Sequence, residues 1–154
     1  MKNYFIIVFF LLPLYLISQT KKGKVVRVAD GDTITILDST NTQLRVRLYG
    51  VDAPEKGQDF SNVAKQFISD LCFSKIVSID IKDIDRYGRT VGIVWTADST
   101  NLNLELLRSG LAWHYKIFDN SDDFAQAEHL ARINKVGLWG EPNAAPPWEF
   151  RRKK

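Results

Sequence analysis

Apolar and polar residues alternate with period two along residues 43–49, where Leu44, Val46 and Leu48 are set against Arg45, Arg47 and Tyr49. That alternation marks a strand with one buried face. Two strand-like stretches precede it: residues 24–29, rich in Val, and residues 33–37, where Thr and Ile alternate. Asp30-Gly31-Asp32 and residues 38–42 supply turn chemistry between them. The period then changes. Phe60, Ala64, Phe67, Ile68, Leu71 and Cys72 fall on one stripe at helical spacing, with Asp59 placed to cap it. Strands are predicted at residues 76–81 and 90–95, flanking a polar turn at 83–89. A second helix is predicted from near Asn103 to Gly110, a residue suited to a helix C-terminus. A third spans residues 121–134. Pro142, Pro146 and Pro147 predict an irregular tail.

Five strands with a helix between the third and the fourth is the element order of the OB-fold. The fold class is therefore α+β, mainly β: a five-stranded Greek-key barrel with about three helices, whose face and loops suit oligonucleotides. Element order alone does not assign a function.

The first eighteen residues have a different character. Lys2 is their only charge, residues 4–17 are apolar apart from Pro13 and two tyrosines, and Ser18 precedes the polar run Gln19, Thr20, Lys21, Lys22. A short positive start, an apolar run and a small residue describe a secretory signal peptide over residues 1–18. The run is shorter than the roughly 20 residues a spanning helix needs, and Pro13 weakens a helix interior. The expectation is an exported protein, periplasmic or extracellular. The alternative is a membrane tether formed by residues 4–18. The remainder reads as one domain, residues 22–141, with a Pro-rich basic tail at 142–154. A hydrophobic content of 45% and a charged content of 25% are those of an ordinary globular domain. Cys72, the single cysteine, excludes an intramolecular disulfide and sits on the apolar helix face as a structural thiol. A net charge of +3 is weak evidence for an anionic partner.

The residues that bear chemistry lie at element edges: Asp32 opens the second strand, Asp52 and Glu55 follow the third, Arg47 lies within the third, and Arg89 closes the polar turn. Phosphodiester hydrolysis needs an attacking water, charge neutralisation at the phosphoryl oxygens and help for the leaving group. Asp32 and Asp52 offer hard oxygen ligands suited to Ca²⁺ or Mg²⁺. His114 and His129 with one cysteine do not furnish a zinc site. Glu55 is a third carboxylate able to orient or deprotonate water, and Arg47 and Arg89 match phosphate with planar two-pronged donors. These groups compose a metal-assisted phosphodiesterase. Taken singly, each motif is also an ordinary turn or loop, and spacing alone does not bring them together.

Four segments occur together and in order. They are Val28-Ala29-Asp30-Gly31-Asp32-Thr33, the run from Arg45 to Glu55 (RVRLYGVDAPE), Asp85-Arg86-Tyr87-Gly88-Arg89, and the run from Asn103 to Ala112. With Gly137-Leu138-Trp139 near the end, the chain resembles the staphylococcal nuclease (thermonuclease) family from about Gly23 to Glu141. The resemblance implies a calcium-dependent endonuclease that cuts DNA and RNA with little sequence specificity and leaves 3′-phosphate ends. It implies that Asp32 and Asp52 bind calcium together with the backbone carbonyl of Ala53, at a position where the family often has Thr. It implies that Glu55 acts on the attacking water, that Arg47 and Arg89 grip the phosphate, and that Tyr87 and Tyr115 lie near the nucleotide. All five functional side chains are present. A non-catalytic nucleic-acid- or protein-binding module of the same fold is the competing reading. Nothing in the sequence demands more than a monomer, and His114 is expected to be packed or solvated rather than catalytic.

Overall fold

The computed structural model describes residues 20–153. The segment 1–18, read above as an export signal, lies outside them. Among the described residues no helix is long and apolar enough to cross a membrane.

Strands β1 (Thr20–Asp30), β2 (Thr33–Leu37), β3 (Gln43–Leu48), β5 (Ile76–Ile84) and β6 (Thr90–Thr96) close into a barrel in the order β1-β2-β3-β6-β5. All pairings are antiparallel except β3 with β6, which is parallel. Closure removes the free sheet edges that would otherwise invite association. The alternation in β3 has the predicted sense: Val46 and Leu48 are buried while Arg47 is half-covered. β1 begins earlier than the expected residue 24, because residues 20–23 continue the ladder with β5 (Lys22 opposite Ser78). The barrel is filled by Val25, Ile34, Ile36, Val46, Val77, Ile79 and Val94.

Helix α1 (Ser61–Cys72) lies between the third and fourth barrel strands in sequence and buries Ala64, Ile68 and Cys72. Its start corrects the expected cap. Phe60, not Asp59, occupies the cap position, in a left-handed conformation (φ 64°) and without a side-chain cap hydrogen bond. Packing of the apolar stripe therefore sets this boundary. Helix α2 (Leu102–Arg108) is capped by the Asn101 side chain, which accepts from the Leu104 amide. Asn103 is buried and fastens α2 to the barrel: its Oδ1 accepts from Val94 N–H at 3.0 Å, and its Nδ2 donates to the Tyr49 carbonyl at 2.8 Å. Helix α3 (Asp122–Ile133) packs on α2, and a 3-10 turn (Gly137–Gly140) follows.

Two features were not expected from the sequence. β4 (Val51–Asp52) and β7 (Trp113–His114) form a second, two-stranded sheet. Two residues are too few to show a period. The tail expected to be irregular contains α4 (Pro147–Arg152), which brings the described α-helices to four rather than about three. Pro147 in the first turn has no amide hydrogen to lose, and its fixed φ suits a helix start. Glu149 near the start and Arg151 and Arg152 in the last turn complement the helix dipole.

Candidate active site

Asp32 lies in the turn between β1 and β2. A side chain at Gly31 would place its Cβ 2.7 Å from Cβ of Ala64 and 2.8 Å from Cβ of Ala53. Only glycine lets the turn press against both α1 and the segment after β4. Asp32 is thereby carried inward and is only 3% exposed. The backbone confirms the placement: Leu48 N–H donates to the Asp32 carbonyl at 2.9 Å.

Arg47 lies opposite Thr33 across the β2–β3 ladder and opposite Val91 on its other side. Its guanidinium reaches two acids. Nη1 donates to Oδ1 of Asp32 at 3.0 Å, and Nη2 donates to Oδ1 of Asp52 at 2.6 Å. Asp52 belongs to β4, pairs in register with Trp113 of β7, and is fully buried. The Ala53 amide donates to Oδ2 of Asp32 at 2.9 Å. Two motifs separate in sequence thus meet at one fork and one amide.

The electrostatics follow from this burial. Desolvation pushes the Asp32 carboxyl up to about 6, with Asp30 adding to the effect, against the opposing pull of Arg47 and the Ala53 amide. Burial disfavours the Arg47 cation too, but the charges of Asp32 and Asp52 outweigh it and raise its pKa.

Glu55 joins the cluster through a residue that the sequence reading missed. Arg151, on α4, donates from Nη1 to Oε1 of Glu55 at 2.6 Å and to Oδ1 of Asp52 at 3.2 Å, and from Nη2 to Oδ2 of Asp52 at 2.8 Å. These acids lie 99 and 96 residues away in sequence. The signal available was the helix-start proline and terminal arginines of the tail, read instead as an irregular, Pro-rich basic end. Gln58 supports the same arrangement: it accepts from Glu55 N–H at 3.0 Å and donates to the Ala145 carbonyl at 2.6 Å.

The other expected residues make contacts of their own. Arg89 is bound to Asp85, Nε to Oδ2 at 2.7 Å, and its side chain is only 18% exposed rather than free in solvent. Tyr87 is exposed, with the Arg86 and Arg89 guanidinium groups 4.8 and 5.6 Å from its ring centroid. The Tyr115 amide bonds the Gly50 carbonyl beside β4, and the Tyr115 ring lies 5.6 Å from that of Trp148 on α4. His114 is packed, as expected. Its side chain is 1% exposed, and its Nε2 is 2.8 Å from Oδ2 of Asp119.

Among the described residues no three or more His, Cys, Asp or Glu side chains form a ready metal cage. A cation at this site would rest on two carboxylates and a backbone carbonyl. The donor set fits a hard divalent ion. Asp32, Asp52 and Glu55 set against Arg47 leave a formal surplus of two negative charges. A cationic group, the Arg151 guanidinium, already lies against both oxygens of Asp52.

A family model described as staphylococcal nuclease homologue matches residues 45–141, from within β3 to just past the 3-10 turn. The turn bearing Asp32 and helix α4 flank the matched segment. A protein named micrococcal nuclease from Shigella flexneri is 41% identical over 141 residues, covering 85% of this chain and 80% of that protein. Protein ParB from Escherichia coli is 40% identical over 142 residues, covering 86% and 80% of the two chains. An uncharacterized endonuclease from Escherichia coli O157:H7 is 36% identical over 154 residues, the full length of both.

Proposed function

The chain belongs to the staphylococcal nuclease homologue family and is accordingly a nuclease; we propose that it is an exported, calcium-dependent endonuclease that hydrolyses DNA and RNA with little sequence preference and leaves 3′-phosphate ends. The observation that carries this reading is the Arg47 fork, which unites Asp32 and Asp52 from two motifs into one buried acid pair. Family membership supplies the reaction class, and the apolar segment 1–18 supports export.

Asp32, Asp52 and the Ala53 carbonyl would hold the calcium, which when bound offsets negative charge on the scissile phosphate and its attacking water. The remaining steps fall to the protein's own side chains. Arg47 is anchored between the two acids and presents a preorganised positive group to a phosphoryl oxygen. Arg89 leaves or shares Asp85 to grip a second oxygen. Glu55 accepts a proton from water as the water oxygen bonds to phosphorus. The bond from phosphorus to the 5′ oxygen breaks, and that oxygen takes up a proton, leaving a 3′-phosphate and a free 5′-hydroxyl. Tyr87 and Tyr115 offer ring faces to unstacked bases, which favours single-stranded or frayed substrate.

The decisive experiment digests single-stranded DNA and RNA with the mature chain in calcium and then in chelator, with end analysis of the products. Cleavage that stops in chelator, returns with calcium and yields 3′-phosphates supports the reading. Binding of nucleic acid without cleavage under all conditions would return the binding-module alternative.

A further inference from the structure

We infer that Arg151 is a built-in occupant of the cation site: helix α4 seats this guanidinium on Asp52 and Glu55, and calcium must displace it before the nuclease can act. The inference rests on the assignment of Asp52 as a metal ligand and of Glu55 as the proton acceptor.

Three observations carry it. The first is atomic. Oδ1 of Asp52 accepts from both Arg47 (2.6 Å) and Arg151 (3.2 Å), and Oδ2 accepts from Arg151 at 2.8 Å. Arg151 therefore holds the oxygen that Arg47 leaves open, and a cation bound by Asp52 needs that oxygen. The second is charge. Asp32, Asp52 and Glu55 against Arg47 sum to two negative charges, and Asp30 adds a third that acts on both Asp32 and Arg47. Arg151 offsets one of them at the same Asp52 oxygens the ion would use, so guanidinium and divalent ion would stand as like charges on one carboxylate. Coulomb repulsion in this poorly solvated setting makes joint occupancy unfavourable. The third is the attachment of the helix. α4 is short, its Arg151 side chain is 40% exposed, and it is held by the Tyr115–Trp148 ring contact and by Gln58 donating to Ala145. A six-residue helix that buries one side chain of its own, Pro147, is a unit small enough to open apart from the barrel.

The same contact acts on Glu55. Nη1 of Arg151 lies 2.6 Å from Oε1 of Glu55 and covers an oxygen that the attacking water would need. One side chain thus covers a metal ligand and the base together. Release of α4 restores both.

The test uses the full mature chain with wild-type, Arg151→Gln and Arg151→Lys sequences. Calcium affinity is measured by titration calorimetry, and hydrogen exchange of residues 147–152 is followed by mass spectrometry with and without calcium. Thermal unfolding confirms that each variant folds. Displacement predicts that Arg151→Gln binds calcium on the order of 10-fold tighter than wild type, with Arg151→Lys between them. It also predicts that calcium speeds exchange at residues 147–152 in wild type, and that Arg151→Gln exchanges fast without calcium. Equal affinities, or exchange in wild type that calcium leaves unchanged, overturn the latch while leaving the metal site standing. Absence of calcium binding in all three proteins removes the cation site and the latch with it. Tight binding by Arg151→Gln without cleavage of nucleic acid would keep the latch and remove the nuclease reading.

Discussion

Arg47 donates to Asp32 over 3.0 Å across fifteen residues of sequence, from the middle of β3 to the turn before β2. The contact follows from register. Thr33 and Arg47 are cross-strand partners, so the residue just before Thr33 lies within reach of the guanidinium. The second arm reaches Asp52, which makes Arg47 a counter-charge shared by two buried acids, with Arg151 a second for Asp52.

Loss of that charge should be felt in stability before any substrate is present. Arg47→Gln keeps a hydrogen-bonding amide but leaves Asp32 without its cation. Removing one partner of a buried ion pair typically destabilises by 3–5 kcal/mol. Because the Arg47 side chain is 21% exposed and Asp52 retains Arg151, the low end is expected, about 3 kcal/mol. Urea unfolding in chelator should show this loss, and calcium should restore much of it by replacing the missing charge. A variant as stable as wild type in chelator would mean that Asp32 is solvated after all.

The proximity of these two residues explains what the sequence could and could not reveal. The barrel was readable because β3 and β6 bury alternate residues and α1 buries a stripe, so each period reports one face meeting one core. The acids and Arg47 were readable as candidates because charged groups interrupt those periods at strand edges. Their convergence was not, since register and barrel closure are long-range properties. β4 and β7 left no trace because two residues carry no period. Arg151 was missed for a different reason. The prolines around α4 resemble a linker, and only the chain's return to Gln58 and Tyr115 turns that helix toward Asp52.

Asp32 should also set an unusual pH dependence. Its carboxyl is raised from 3.8 to about 6, mainly by burial. A carboxyl whose folded pKa lies above its unfolded value holds its proton more tightly in the folded state. Its contribution to stability is therefore greatest below about pH 4 and is lost as pH rises through about 6. The ionised form then opposes folding by up to about 3 kcal/mol, the scale of a two-unit shift. In chelator, the stability difference between wild type and Asp32→Asn should change between pH 4 and 7, with the variant gaining relative to wild type at the higher pH. A difference constant over that range would refute the raised pKa. Calcium should reverse the trend, because binding requires the carboxylate.

Cys72 should be inert in the native protein. It is fully buried on α1, lies 3.1 Å from the Ile68 carbonyl as a hydrogen-bond donor, and has its thiol pushed up to about 12 by burial. The thiolate is the reactive species, so an aromatic disulfide reagent should label it only as the chain unfolds. Labelling followed through a urea transition should track the loss of tryptophan fluorescence. Rapid labelling at zero urea would show that α1 opens locally.

Arg89 and Glu55 separate catalysis from folding. Arg89 pairs with Asp85 four residues earlier in a polar turn, a contact that the charge of a lysine can keep. Glu55 is 36% exposed at its side chain, and its partner Arg151 keeps Asp52 if the charge at position 55 is removed. Neither residue anchors the core, so Arg89→Lys and Glu55→Gln should unfold within a few degrees of wild type. Their effect on turnover should be far larger. Lysine keeps the positive charge but loses the planar two-pronged donor that matches a phosphoryl group. The glutamine amide cannot accept a proton from the attacking water. Each variant should lose on the order of 10²-fold in turnover, the scale for one preorganised transition-state contact. Turnover and melting temperature measured on the same preparations decide the matter. Near-normal turnover in either variant, or activity lost only in step with unfolding, would make that residue part of the scaffold and leave the phosphate or the water to another group.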